Sequence, residues 1–342
     1  MTRPGRLFPY YFPTTVIVVD DNPRFLESLA LELPEQLASR SFQAADRALV
    51  TVNATPRTPP LYQRCFSHYR EANREPTGTQ LIHLDLSLIE REISNPDRFR
   101  AVSVVVVDYD MPGMNGVEFC RRIEDPHVRK ILFTGVADEK VAVEAFNDGL
   151  IDRFIIKSAP DALPRLREAI SALQERYFAA ISETLRSTLM LNAPAFLTDP
   201  AFEDFFLRLC ETRGFVEYYL VAEPDGFLLL DDLGVLYRLV VIDDAGADAQ
   251  LAFARAQGAP AEVLADLQAR SRIGYFYQSV DEFFDSADYD WDEFLRPAST
   301  LVGARPWYWA LVDAPPVDID FDAETSNYRS YLRRLDASRD AA

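Results

Sequence analysis

The sequence predicts an α/β fold: a doubly wound sheet of five parallel strands, followed by an α+β region built on an antiparallel meander. Three observations carry this. Apolar runs without polar alternation recur in the first half, at Val16 to Val19, Val102 to Val107, residues 130–134 (KILFT) and residues 153–157 (RFIIK). Such runs suit strands buried on both faces. Helical patterns lie between them, which implies right-handed crossovers. Beyond about residue 200 the rhythm changes to apolar runs joined by short turn signals.

Taken in order, Val16 to Val19 ends in Asp20-Asp21, and Asn22-Pro23 supplies an N-cap and a first-turn proline. Phe25, Leu26, Leu29 and Leu33 form the apolar face of that helix. Phe42 to Ala45 reads as a second strand. Residues 53–80, rich in Pro, Arg and Thr, interrupt the alternation as a surface loop or a partner-recognition insertion, with Tyr62, Phe66 and Tyr69 on one face of a short helix. A helical pattern resumes from Leu81 to Ile93. Helices are expected at Gly116 to Ile123 and at Glu139 to Asp148, the latter closed by Gly149. Asp161 to Met190 reads as one long connecting helix, with apolar residues spaced by three and four. A thirty-residue helix spans roughly 45 Å, about twice what a sheet of this kind needs. Tyr177, Ile181, Leu185 and Leu189 are therefore expected to need a partner surface: a homodimer held at least partly by this helix is expected, with the C-terminal domain of the same chain as the alternative.

Residues 192–200 read as a linker. Beyond it, Phe202 to Leu209 is helical, and Tyr218 to Val221, Phe227 to Asp231 and Val235 to Ile242 are strands, with a Pro224-Asp225-Gly226 turn. Helices follow at Asp248 to Gln257 and Pro260 to Arg270, and then the aromatic segments Tyr275 to Tyr277 and Trp307 to Trp309. The end, from Ala337, is expected to fray. The expected domains are thus 14–175, with an insertion at about 53–80, the helix 161–190, and an acidic domain at 195–335.

Charge narrows the function classes. Of the net −19, residues 195–342 hold −16, with 12 arginines, no lysine and 28 acids. Such a half lacks the basic face that phosphate neutralisation requires, so DNA is not an expected partner. The three cysteines form no C-x-x-C pair, which argues against a zinc site or a disulfide framework. Pro9 and Pro13 break the N-terminal apolar run, and no run approaches a membrane span. A cytoplasmic protein is expected.

In a doubly wound sheet, function gathers at the carboxyl ends of the strands. Asp20, Asp21, Asp108, Thr134 and Lys157 all fall there. Three close carboxylates need a cation, and an oxygen-only donor set suits Mg²⁺. A carboxylate nucleophile, a hydroxyl and a lysine together match phosphoryl transfer to an aspartate. The order Asp20-Asp21, VVVVDYDMPGMNGVEF (104–119), LFTG (132–135) and FIIKSAP (154–160) resembles the receiver domain of bacterial two-component response regulators, a flavodoxin-like fold. That resemblance implies Asp108 as phosphoacceptor and a sensor histidine kinase as phosphodonor. It implies Mg²⁺ held by Asp21, Asp108 and the main-chain carbonyl of Asp110, with Asp20 acting through a water. Thr134 and Lys157 would bind the phosphoryl group, and Thr134 and Phe154 would be switch residues. Asp21 and Asp108 are 87 positions apart, about twice the spacing usual in that family.

Residues 195–342 carry no helix-turn-helix with a basic recognition helix, no cyclase string and no histidine. The expected output is a domain binding a protein or small ligand, with no enzymatic activity beyond self-phosphorylation and dephosphorylation of the receiver. A carboxylate-dependent enzyme, using pairs such as Asp231-Asp232 or Asp243-Asp244, and a transcriptional regulator are the alternatives. The N-terminal LFPYYFPTTVIVVDDN, the insertion and the non-DNA output are similar to response regulators of α-hydroxyketone quorum-sensing systems.

Overall fold

The computed structural model describes residues 7–54, 58–69, 81–135, 139–189, 194–222, 224–276, 290–316 and 319–339. The chain forms two compact units, and both are discontinuous in sequence. One comprises residues 12–60, 95–184 and 328–342. The other comprises residues 1–11, 61–94 and 185–327.

The first unit is a five-stranded parallel sheet. Its strands are β1 (Thr15–Val19), β2 (Ser39–Phe42), β3 (Val102–Val107), β4 (Arg129–Thr134) and β5 (Arg153–Ile156), in the order β2-β1-β3-β4-β5. Its helices are α1 (Pro23–Glu32), α2 (Ala45–Val52), α3 (Gly116–Arg121), α4 (Glu139–Asn147), α5 (Ala162–Ile181) and α6 (Tyr328–Arg339). Alternate strand residues serve opposite layers. Ile17, Val19, Val105, Val107 and Leu132 pack with α2, α3 and α4 through Ala48, Phe119 and Ala142. Val16, Val18, Val104, Val106, Ile131 and Phe133 pack with α1 and α5 through Leu29, Leu166 and Ile170. This is why the strands read as unbroken apolar runs.

The strand start at Phe42 is shifted. Phe42 ends β2, and Ala45 already opens α2. The long helix is also not continuous. Ser182 is buried and turns its hydroxyl back onto the Phe178 carbonyl, and a separate helix, Glu183–Leu189, follows. The hydroxyl thus shares the Phe178 carbonyl with the Ser182 N–H, which donates to it at 3.0 Å. Tyr177, Ile181, Leu185 and Leu189 are each buried. Met190 lies outside the described residues.

The last helix, α6, covers the amino ends of β1–β3. The Tyr328 hydroxyl donates to the Gln36 carbonyl at 2.5 Å and accepts from the Ala38 N–H at 3.0 Å. The Tyr331 hydroxyl meets Thr15 Oγ1 at 2.6 Å, and Thr15 in turn donates to the Phe99 carbonyl at 2.7 Å. The Phe99 ring lies 5.2 Å and 5.6 Å from those of Tyr328 and Tyr331. The expected frayed end is thus helical through Arg339.

In the second unit, a six-stranded antiparallel sheet runs in the order Tyr10–Tyr11, Phe215–Val221, Gly226–Asp231, Leu236–Ile242, Pro306–Asp313 and Ser299–Val302. The expected meander forms its centre. One face packs on helix Pro200–Arg213, where Phe206 meets Tyr218 and Phe227, and Phe205 meets Trp309. The insertion differs from expectation. Phe66–Tyr69 and Leu81–Leu84 pair as antiparallel strands, so Phe66 and Tyr69 share no helix with Tyr62, which lies on Leu61–Arg64. Helical structure begins only at Ser87–Glu90, which packs against Phe215–Val221. Residues 70–80 and Tyr277 lie outside the described residues.

Asp199 ties this unit together. Its carboxylate caps helix Pro200–Arg213 through the Ala201 N–H at 2.9 Å. It also accepts from the Ala304 N–H at 2.8 Å and Trp307 Nε1 at 2.7 Å. Burial alone would raise its pKa, but these donors outweigh that and hold it below the ordinary value. Replacing Asp199 with Ala should cost about 2–4 kcal/mol, combining a lost cap with stranded donors. Because the folded pKa is lowered, the carboxylate's contribution is complete above about pH 4 and is lost as pH falls through the folded value. All three tryptophans, Trp291, Trp307 and Trp309, lie in this unit. Urea unfolding followed by tryptophan fluorescence should therefore show wild type and Asp199→Ala far apart at pH 7 and converging in acid.

Candidate functional site

The site is built at the carboxyl ends of β1, β3, β4 and β5. Asp20 follows β1, and its N–H donates to the Phe42 carbonyl at 3.1 Å. Asp108 follows β3, with its N–H on the Val19 carbonyl at 2.9 Å. These ladder bonds bring residues far apart in sequence to one edge. The ligand atoms of Asp20, Asp21 and Asp108 lie within 4.8 Å of one another. Asn22 caps α1 by accepting from the Arg24 and Phe25 N–H groups, with Pro23 in the first turn. The chain therefore leaves β1 by one fixed route.

Lys157, just past β5, closes the site. Its Nζ lies 2.5 Å from Asp20 Oδ2 and 2.9 Å from Asp108 Oδ2. Its N–H donates to the Thr134 carbonyl at 2.8 Å, which sets the lysine beside the end of β4. Thr134 itself is buried. Asp108 Oδ1 accepts the Tyr109 N–H at 2.8 Å, leaving Oδ2 on the lysine. Asp20 is 2% exposed, and burial raises its pKa despite the Lys157 hydrogen bond. One ammonium thus offsets a partly buried set of three carboxylates, and the remaining negative charge with its hard oxygen donors fits a divalent cation such as Mg²⁺.

Asp110 and Asp21 are exposed near the rim. Phe154 pairs with Leu132 across β5 and β4 and is half-buried against the core below α3 and α4. Gly116 was not singled out by sequence reading, although it opens α3 within the quoted string. A Cβ there would stand 2.2 Å from the Asp108 carbonyl oxygen and 2.9 Å from Leu132 Cδ1. Only glycine lets α3 pass this close to Asp108. Gly116→Ala should lower stability by about 1–3 kcal/mol in urea unfolding, because backbone must move to admit the methyl group.

The acid pairs of the other unit are engaged in local structure. Asp231 Oδ1 accepts from the Leu233 and Val235 N–H groups at a turn. Asp243 caps helix Asp244–Ala256, and Asp244 accepts from the Tyr308 hydroxyl. The three cysteines are free, and burial pushes Cys65 up to about 11 and Cys120 and Cys210 to about 12, so none offers a thiolate at neutral pH.

Comparison with known proteins places this geometry. Residues 92–171 match the response regulator receiver domain. This stretch carries Asp108, Thr134 and Lys157, while Asp20 and Asp21 lie upstream of it. The solved structure of the Legionella pneumophila response regulator LqsR is 35% identical, covers 98% of both chains and superposes with a TM-score of 0.77. The chain is a response regulator. The resemblance therefore extends over both units of this response regulator, well beyond its receiver. The hydrogenase transcriptional regulatory protein HoxA of Cupriavidus necator is 32% identical over 90 residues, which is 23% of this chain and 19% of HoxA. The response regulator thus spans about a fifth of that relative's length. Among its described residues, no helix is long and apolar enough to cross a membrane.

Proposed function

We propose that this response regulator is phosphorylated on Asp108 by a sensor histidine kinase, the partner that a receiver domain implies. The observation that carries the reading is the convergence of Asp20, Asp21, Asp108 and Lys157 at one sheet edge. The Asp108 carboxylate attacks phosphorus, an Oδ–P bond forms, and the bond to the donor's leaving atom breaks with its electron pair. Lys157 neutralises charge on the arriving phosphoryl oxygens, and Thr134 is the hydroxyl that follows them. Bound Mg²⁺ supplies charge stabilisation; Asp21, Asp108 and the Asp110 carbonyl would hold it, with Asp20 acting through a water. Thr134 and Phe154 are the switch residues of this reading.

The signal would pass to the C-terminal unit, which we read as binding a protein or small ligand rather than DNA. Its −16 charge and the engagement of Asp231, Asp243 and Asp244 in turns and caps support that choice over a nucleic-acid or carboxylate-enzyme output. A role in α-hydroxyketone quorum sensing rests on the sequence resemblance described above. The test is intact mass after incubation with acetyl phosphate. One phosphoryl group should appear, and only when Mg²⁺ is present. Asp21→Asn should shift the Mg²⁺ titration about tenfold or more, at least what loss of a supporting residue costs a metal site. An unchanged titration removes Asp21 from the site.

A further inference from the structure

The Lys157 ammonium has a third neighbour that is not an acid. Its Nζ stands 4.7 Å from the centroid of the Phe25 ring. Phe25 occupies the first turn of α1, four residues beyond Asp21, and its ring packs at 5.8 Å on Phe133, which precedes Thr134 in β4. The Asn22 cap accepts from the Phe25 N–H itself, so the cap, the ring and the acidic pair form one rigid corner. We propose that Phe25 is a positioning residue for phosphoryl transfer: its ring holds the Lys157 ammonium beside Asp108. The proposal rests on the reading of Asp108 as phosphoacceptor.

The physical argument is one of preorganisation. A lysine head on a four-carbon stem is strongly hydrated and flexible. Here two carboxylates draw it toward the acceptor, and the negative face of an aromatic ring attracts it from another side. A phosphoryl group arriving on Asp108 must take Oδ2 or its neighbour, which loosens the present Lys157–Asp108 contact. Phe25 is the contact that does not change in that step. It keeps the charge where negative charge develops, without the reorganisation that a free ammonium would need.

Phe25→Leu keeps the apolar volume toward Phe133 and removes the ring face, whereas Phe25→Tyr keeps the face. The chain has only three lysines, Lys130, Lys140 and Lys157, so isotope-labelled lysine gives three ε-methylene signals, with Lys157→Gln assigning the one of interest. In the wild type that signal should carry the ring-current shift of a neighbouring aromatic face. It should lose that shift in Phe25→Leu and keep it in Phe25→Tyr. Phosphorylation by acetyl phosphate should slow about two- to fivefold in Phe25→Leu. Phe25→Tyr should restore the rate, and Phe25→Leu should have no further effect in a Lys157→Gln background. An unshifted lysine signal, a wild-type rate in Phe25→Leu, or an undiminished loss without Lys157 overturns the proposal. If the wild type itself takes no phosphoryl group, the phosphoacceptor reading fails and the proposed role with it, while the lysine signal still reports whether the contact exists.

Discussion

Asp108→Asn should take up no phosphoryl group from acetyl phosphate under conditions that fully modify the wild type. The carboxylate oxygen is the nucleophile in this reading, and an amide at the same place offers no comparable electron pair. The loss should exceed the roughly hundredfold that removal of one stabilising donor costs. The variant should fold, because the Asp108 N–H still meets Val19 and the side-chain oxygen can still accept from Tyr109. It also relieves the crowding of the three carboxylates at this edge. Intact mass gives the uptake, and peptide mapping gives the position. Uptake by the variant at the wild-type rate would move the phosphoacceptor elsewhere.

A chain ending at Asn327 should lose about 5 kcal/mol or more from its receiver unit. Tyr328, Tyr331 and Leu335 are each buried. Removing them exposes Phe99 and strands the Ala38 N–H and Gln36 carbonyl that Tyr328 satisfies. Truncating one buried aromatic to Ala already costs about 3–5 kcal/mol, and a whole unit is stable by only about 5–15 kcal/mol. Tyr331→Ala gives the milder version and should shift the same transition. Hydrogen exchange at the β1 amides is the measurement, since the tryptophans report only the other unit. Protection in β1 unchanged by either variant would show that α6 merely rests on the surface.

The receiver was legible because its physics is local and repetitive. Strands buried on both faces announce themselves, as Val102–Val107 does, and their carboxyl ends then place Asp20, Asp108, Thr134 and Lys157 without further information. The meander was legible for a similar reason, with Pro224-Asp225-Gly226 marking its first turn. What escaped depends on partners distant in sequence. Leu81–Leu84 becomes a strand because Phe66–Tyr69 lies beside it, and four apolar and polar residues carry no period long enough to reveal that. The long helix is interrupted at the buried Ser182, inside an unbroken apolar spacing that gives no sign of it. Tyr328 and Tyr331 sit in an Arg-rich, polar-looking tail, and their importance lies in Thr15, Gln36 and Ala38, some 290 positions or more away. Gly116 and Phe25 were visible as letters, but what sets them apart is distance, to the Asp108 carbonyl and to the Lys157 ammonium.

The return of α6 to the first unit has a consequence for the order of events at the ribosome. Residues 12–181 supply every strand of the receiver sheet, yet the helix that covers its strand starts emerges about 150 residues after α5. At roughly 5–20 residues per second that is an interval on the order of ten seconds. During it the nascent sheet has its acidic edge in place and its opposite end uncovered. A message broken anywhere before residue 328 therefore yields a receiver whose strand starts are never covered.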